Sequence, residues 1–527
     1  MNASLVILAL TVASFLLGFL RDLFIARSFG LSWEADLIFV ALILPLFFEN
    51  FLGLALRDAM IPYLQKLRSQ SEPLFEAVAR WLYWRVMLLG AAACALIVLT
   101  SYWVLNALAP GWSAEQVASG QLVFCVGALL IAVQAALYCQ GALLNMDKVF
   151  ILPMTRTLLL NAGAIVGILL FDPSGMSIFL GMLLPQVALI IVQHRHIRYL
   201  RGEALPLEKG HGSRFGLAFA PVLLAAGAQQ ACILAERMFA SFLEEGSITM
   251  LSFAFRIVTI PLTLYAMSVL SVLFPQFSSS WNDKDHAAHA AVIRKGLLAT
   301  LLFLVPATVV LCSFPEAVVS VLLERGQFGA AQTEATASLM VIYALGLPAM
   351  GLALLWGRAL LAQHQARVFL LITLISSAMT IALDAALYRH YGAAGLALAF
   401  SGGAMLQALF MGLFVYRVSP MGAGVAVLAR WLATALILAG AVHFLPSPRG
   451  VRRAVPVHRP GTGRVCRRGN PARGARPVPA ALLVHAQGLK PFPQGPSRAN
   501  TKAAARCSGL RIATLLFSRP GRAFPWC

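Results

Sequence analysis

The residues with chemistry to offer are ionisable side chains set into strongly apolar surroundings. Around "LLGFLRDLFIARSFGLSWEADLIFVALILPLFFENFLGLALRDAMIP" stand Arg21, Asp22, Arg27, Asp36, Glu49, Arg57 and Asp58, with Pro45 and Pro62 interrupting the run. A second group follows in "LAERMFASFLEEGSITMLSFAFRIVTIPLTLYAMSVLSVLFPQF": Glu236, Arg237, Glu244, Glu245 and Arg256, then Pro261 and Pro275. A charge at bilayer depth is costly unless it is paired or lines a wet cavity. Some of these groups must therefore face a hydrated interior, where they hold ions or charged cargo. Arg256 stands well inside its apolar stretch, whereas Arg21 and Asp22 would also suit a helix end at the interface. Glu236 and Arg237 are adjacent, so they point in different directions and need not pair. Asp384 and Arg358 are expected to be local partners or helix-end charges.

Bond-breaking chemistry has no such foothold. The ten histidines show no H-E-x-x-H spacing and the eight cysteines no C-x-x-C pair, and there is no G-x-x-x-x-G-K-[ST] phosphate loop. No metal site, no cofactor, no catalytic constellation and no ATP-driven step is expected, and the cysteines read as small core hydrophobes. The chain is expected not to be an enzyme.

The elements that position the charges follow from composition. Of 527 residues 59% are hydrophobic and 12% charged, and the mean hydropathy is +0.79, which no soluble domain of this length could bury. A helical span needs about 20 apolar residues. Thirteen such runs occur, near 4–20, 35–57, 81–105, 119–144, 149–171, 175–193, 215–237, 248–273, 296–313, 335–361, 368–388, 392–416 and 423–445. The runs are continuous rather than alternating, so the expected fold is all-α, a polytopic transmembrane helical bundle and not a barrel. The first run lacks a preceding basic residue and a small-residue cleavage site, and is read as a retained helix.

Basic residues concentrate in the joints after even-numbered spans, for example Lys66, Arg68, Arg80, Lys148, Arg195, Arg198 and Arg201. The positive-inside rule then puts those joints, and the N-terminus, in the cytoplasm. The two charge-bearing helix pairs, each broken by prolines, begin two halves, as in secondary transporters built from repeats with the substrate site between them. The expected organisation is helices 1–6 over residues 1–210, helices 7–12 over 211–420, helix 13 over 421–445, and a tail over 446–527.

The net charge of +20 is located mostly in that tail, which carries 16 Lys and Arg and no Asp or Glu, leaving 25 basic and 21 acidic residues for the rest. A nucleic-acid partner is therefore not expected. The tail, "PSPRGVRRAVPVHRPGTGRVCRRGNPARGARPVPAALL", is a Pro, Arg, Gly and Ala mixture without helical period. By the helix count it would start on the periplasmic side, against the positive-inside pattern. It reads as an out-of-frame translation of a GC-rich gene, the alternative being a disordered basic arm that touches anionic lipid or nucleic acid.

The motifs "GFLRDLFIARSFG", Asp36 nine residues before Pro45, and "FASFLEEGSI" leading to "FRIVTIP" resemble the MurJ/MviN lipid II flippase family, within the multidrug/oligosaccharidyl-lipid/polysaccharide exporter superfamily. "ERGQF" at Glu324 to Phe328 and "YGAAGLALA" at Tyr391 to Ala399 support the likeness, which runs from about residue 10 to about 420. The resemblance implies fourteen helices, two six-helix lobes, a cationic central cavity and a C-terminal lipid groove, in an inner-membrane protein that moves a polyprenyl-diphosphate-linked glycan by alternating access. The implied partners are that glycan lipid, membrane lipids and a coupling cation. Arg21 and Arg256 fall on positions that hold the diphosphate in the family, a role suited to a guanidinium's bidentate geometry. Asp22 and Asp36 are candidate ion-sensing carboxylates. The chain departs from the family at Phe15, at Glu49 and Asn50, and at Phe255, where it has no arginine, no arginine pair and no acidic residue. These departures leave two alternatives open, a flippase for an exopolysaccharide intermediate and, through Glu49, a multidrug or cation antiporter.

Overall fold

A helix broken in its middle by proline is the recurring unit of this structure. The computed structural model describes residues 3–201, 227 and 230–418, and among them every regular element is helical. The first half runs α1 (Ala3–Phe29), α2 (Trp33–Phe47), one stretch of π geometry (Phe48–Gly53), α3 (Leu54–Gln70), α4 (Glu72–Leu99), α5 (Ser101–Leu108), α6 (Ala114–Met146), α7 (Ile151–Leu170) and α8 (Gly175–His196). After a 3-10 turn at Arg198–Arg201, the second half runs α9 (230–240), α10 (Ser247–Tyr265), π geometry again (Ala266–Leu270), α11 (Ser271–Asn282), α12 (His286–Ser313), α13 (Pro315–Leu323), α14 (Ala330–Ala362) and α15 (Ala366–Val418). Gly392, at φ +56°, divides α15 into two spans.

Eleven of the thirteen expected spans thus appear among the described residues, the seventh is described only at its end, and 423–445 lies outside them. So do the boundary at 210/211 and the tail 446–527. Among the described residues nine helices are long and apolar enough to cross a membrane, one of them the divided α15. The second expected span, built from α2 and the π stretch, is not among the nine. Leu88, Leu89, Leu96, Leu99, Leu169, Leu170 and Leu184 are exposed. A lipid solvent suits such a surface, and the chain is a multi-pass membrane protein.

Local chemistry sets the helix ends. Ser113 and Gln116 form a reciprocal capping box at α6, and Ser71 caps α4 with a proline in its first turn. Asp285 accepts from the Ala288 amide at the start of α12 (2.8 Å). In the two bent helices Pro45 and Pro261 precede the π stretches, and a proline removes one backbone donor and crowds the carbonyl four residues back. α1 runs nine residues past the expected end of its span, because Arg21 and Asp22 are buried by packing and do not end the helix at an interface.

Two cores decide the shape between the halves. One combines Ile25, Phe29, Ile38, Phe124 and Phe179 of the first half with Ile248, Phe253, Val319 and Phe328 of the second. These residues sit at the end carrying the turns at 30–32 and 241–246. The other core, including Met60, Leu64, Phe75, Leu82, Cys139 and Leu143, belongs to the first half alone, at the opposite end. Accordingly α2 packs on α10 and α1 on α13, whereas α3 packs on α4 and α6, and α11 on α12 and α14. Among the described residues the halves share a core at one end only.

Candidate functional site

Three helices bring the first charge group together. On α1, Arg21 donates from Nε and Nη2 to Asp22 Oδ1 (3.0 and 2.7 Å) and from Nη1 to Asn161 Oδ1 on α7 (3.0 Å). Asn161 is itself fixed by donating to the Ser14 carbonyl (3.3 Å). From α10, Arg256 places Nε 3.1 Å from the second oxygen of Asp22, so one carboxylate bridges two guanidinium groups across the halves. The arrangement carries one net positive charge. Arg21 and Asp22 are nearly sealed, at 9% and 6% side-chain exposure, while Arg256 keeps 34%. Among the described residues no hydrogen bond is made by Arg256 Nη1 or Nη2. Its guanidinium lies 5.7 Å from the Phe15 ring centre, against Gly18, where a Cβ would come within 2.8 Å of Nη2. A planar donor pair held open in this way suits an oxyanion.

The second group joins the halves at their common end. Asp36, in the first turn of α2, accepts from the amides of Gly246 (2.8 Å) and Thr249 (2.7 Å) and from the Thr249 hydroxyl (2.6 Å). It therefore caps α10 from the other half of the molecule, where a carboxylate also meets the positive end of the helix dipole. Gly246 adopts φ +84° to present its amide, and Leu31 packs against it. The exchange is mutual, since Glu245 accepts from the Trp33 amide at the start of α2 (2.6 Å). Nearby, Ser241 Oγ accepts from Gly111 N (3.1 Å) and the Arg27 carbonyl from Gln327 N (2.9 Å). This seam is a latch, and Asp36 is its centre.

Glu49 is elsewhere and already paired. Its Oε1 receives Nη2 of Arg156 on α7 (2.9 Å) and the hydroxyl of Tyr138 on α6 (3.3 Å). The five expected residues thus fall into three places: Arg21, Asp22 and Arg256 together, Asp36 at the seam, and Glu49 inside the first half. Glu236 and Arg237 part as expected, Glu236 accepting from Tyr343 (2.5 Å) and Arg237 donating to the Ile248 carbonyl and Ser252 hydroxyl. Asp384 differs from expectation. Buried on α15 within electrostatic reach of Glu236, it has no hydrogen-bond partner at either oxygen among the described residues, and the Ser376 hydroxyl eight residues before it has none there either. Arg358 lies over the Phe274 ring at 5.2 Å and is not a partner of Asp384.

A family model for the lipid II flippase MurJ matches residues 25–449. The chain belongs to the lipid II flippase MurJ family. Similar proteins include a probable lipid II flippase MurJ of Thermotoga maritima, 26% identical over 397 residues covering 74% of this chain and 80% of that one. A lipid II flippase MurJ of Burkholderia cenocepacia is 24% identical over 482 residues, 84% of this chain and 89% of its own length. Among solved structures, lipid II flippase MurJ in an inward closed conformation shares the fold at TM-score 0.71 and 22% identity, over 82% of this chain and 92% of that one. An inward-facing multidrug resistance MATE family transporter is similar at TM-score 0.66 and 12% identity, over 77% and 94% of the two chains.

Within the MurJ family, the departures of this chain now have surroundings. Phe15 lies under Arg256, and Phe255 stacks on Tyr343 and Phe400 at 5.5 and 4.9 Å. The side chain of Asn50 lies outside the described residues. Two residues that hold these charge groups together were missed from the sequence. Arg156 stands in "ILPMTRTLLLNAGAIV", and the rule that a charge inside an apolar run needs a partner would have marked it. Asn161 carries no charge, and nothing in its sequence neighbourhood distinguishes it from a core amide.

Proposed function

We propose that this chain is a flippase for lipid II or a closely related polyprenyl-diphosphate-linked glycan in the bacterial inner membrane, working by alternating access. The observation that carries the reading is the bridged Arg21–Asp22–Arg256 group, with net positive charge and one guanidinium left open, where the two halves meet. In this reading Arg256 takes the diphosphate oxygens, and Arg21, held by Asp22 and Asn161, orients the site. The latch of Asp36 and Glu245 keeps one face shut while the cavity opens to the other, and the bends at Pro45 and Pro261 give each half a flexible helix. The basic joints make the open face cytoplasmic and the latched face periplasmic. The isoprenoid stays in lipid between the halves, 1–210 and 211–420. The antiporter alternative loses its footing, because Glu49 is neutralised by Arg156.

Asp22 and Asp36 are both occupied by donors, so the coupling ion, a proton or a monovalent cation, is proposed at Asp384. Its two oxygens, buried and without a hydrogen-bond partner among the described residues, support this. Complementation tests the flippase reading. In a bacterium depleted of its own lipid II flippase, the chain should restore growth, and Arg21→Ala or Arg256→Ala should abolish rescue at equal membrane abundance. Rescue that survives Arg256→Ala would refute the role given to the open guanidinium.

A further inference from the structure

The pair between Glu49 and Arg156 is unexplained by the latch or by the bridged arginines. Burying two charges costs several kcal/mol per ion before their attraction returns any of it, and a brace of apolar side chains would hold α2 to α7 as well. The surroundings of Arg156 are those of a prepared anion holder. Its Nη1 donates to Gln134 (2.7 Å), its Nη2 to Tyr138 (2.8 Å), its guanidinium stacks 4.2 Å over the Tyr138 ring, and its carbonyl accepts from Gln186 (2.6 Å). Of these, the Gln134 and Gln186 contacts and the stacking on the Tyr138 ring do not involve Glu49; the Tyr138 hydroxyl also donates to Glu49 (3.3 Å).

Glu49, by contrast, takes only one nitrogen of Arg156, Nη2, whereas Asp22 takes both Nε and Nη2 of Arg21. It sits on the π stretch Phe48–Gly53, the deformable part of its helix, and both members of the pair keep some exposure (13% for Arg156, 14% for Glu49). Charged atoms exposed inside a membrane-spanning half open onto water and not onto lipid. Arg156 also lies five residues before Asn161 on α7, about 7.5 Å along the axis from the residue that orients Arg21.

We propose that Arg156, with Gln134 and Tyr138, is a second anion-holding site for the cargo headgroup, and that Glu49 is its built-in counter-ion, displaced by an incoming phosphoryl or carboxylate oxygen. The proposal rests on the flippase reading above. It assigns the two members of one ion pair opposite effects on binding, which a structural brace does not.

The test is binding of farnesyl diphosphate and of lipid II bearing a farnesyl chain to the purified full-length protein, with thermal unfolding measured alongside. Glu49→Gln should tighten binding and Arg156→Gln weaken it, each by about tenfold, the scale of one charge-assisted hydrogen bond. The exchange variant Glu49→Arg with Arg156→Glu keeps an ion pair but takes the cation away from Gln134 and Tyr138, and should bind about as weakly as Arg156→Gln; near-wild-type binding by it would overturn the proposal. Effects seen with both probes assign the site to phosphoryl oxygens, and effects seen only with the complete headgroup assign it to carboxylates. If both single variants weaken binding in step with lost thermal stability, the pair is only a brace and the proposal is overturned. If Arg256→Gln abolishes binding while neither Glu49→Gln nor Arg156→Gln changes it, the second site is overturned and the flippase reading stands. A wild-type protein that binds neither probe overturns the flippase reading itself.

Discussion

Removing the Asp36 carboxylate should open the latched end of the molecule. Asp36 receives three donors from α10 and its preceding turn, at 2.6, 2.7 and 2.8 Å, and all three become hydrated when the halves part. A hydrogen bond to a charged group contributes about 1.5–3 kcal/mol. The three share one carboxylate and do not add independently, so about 3 kcal/mol is a fair total for Asp36→Ala. That shifts the closed-to-open ratio by about 150-fold. Asp36→Asn keeps one acceptor but turns an amide N–H₂ towards a backbone donor, and about 1.5–2 kcal/mol, or a 10–30-fold shift, is expected. Spin labels at Glu115→Cys and Glu244→Cys, both exposed on either side of the seam, would report the separation by pulsed electron resonance in a background without native cysteines. The long-distance population should grow in the order wild type, Asp36→Asn, Asp36→Ala. An unchanged distance distribution in a folded Asp36→Ala protein would refute the latch.

The other predictions concern single contacts. Asp22→Asn leaves Arg21 and Arg256 facing each other without a counter-charge, and should cost about 3–5 kcal/mol of stability, read as a fall in unfolding temperature in detergent. Asp384→Asn should do the reverse, raising stability by about 1 kcal/mol or more because a neutral amide replaces an unpartnered buried carboxylate, while ion-coupled transport in proteoliposomes is lost. Gly246→Ala places a side chain at φ +84° against the Leu31 backbone, costing about 1–2 kcal/mol from the dihedral alone, and should weaken the latch in the same spin-label assay. Glu72→Ala removes a half-exposed partner of Arg68, which keeps Asp147 at 3.0 Å, and should change stability by less than about 0.5 kcal/mol.

The bundle was legible because lipid imposes a blunt rule: a span needs a long apolar run, and such runs survive any detail of packing. Helix ends were less legible where a charge was buried and not interfacial, as with Arg21 and Asp22 inside α1. The charges themselves were easy to find, but their partners were not. Asp36 and the α10 amides are separated by 210 and 213 residues, and Asp22 and Arg256 by most of the chain's described length. Backbone donors carry no sequence signature, so the role of Asp36 as a cap for a distant helix could be read only in three dimensions. Glu49 misled for a related reason: its meaning depends on Arg156, which stands on another helix in an otherwise apolar run.

The bridging carboxylate also explains how a cationic site can serve a transporter. A flippase must release its cargo as readily as it takes it, and two free guanidinium groups on one diphosphate would form bidentate contacts at both ends. Asp22 occupies the Arg21 fork entirely and takes the inner edge of Arg256, leaving the outer edge of one arginine to face the space between the halves. The three residues also straddle the halves, with Arg21 and Asp22 on α1 and Arg256 on α10. In the proposed mechanism, rocking about the latch would lengthen or shorten the Asp22–Arg256 contact, and the charge offered to the cargo would change with the state of the protein. A carboxylate that moves with one half and a guanidinium that moves with the other make affinity a function of conformation, which is the minimum that alternating access requires.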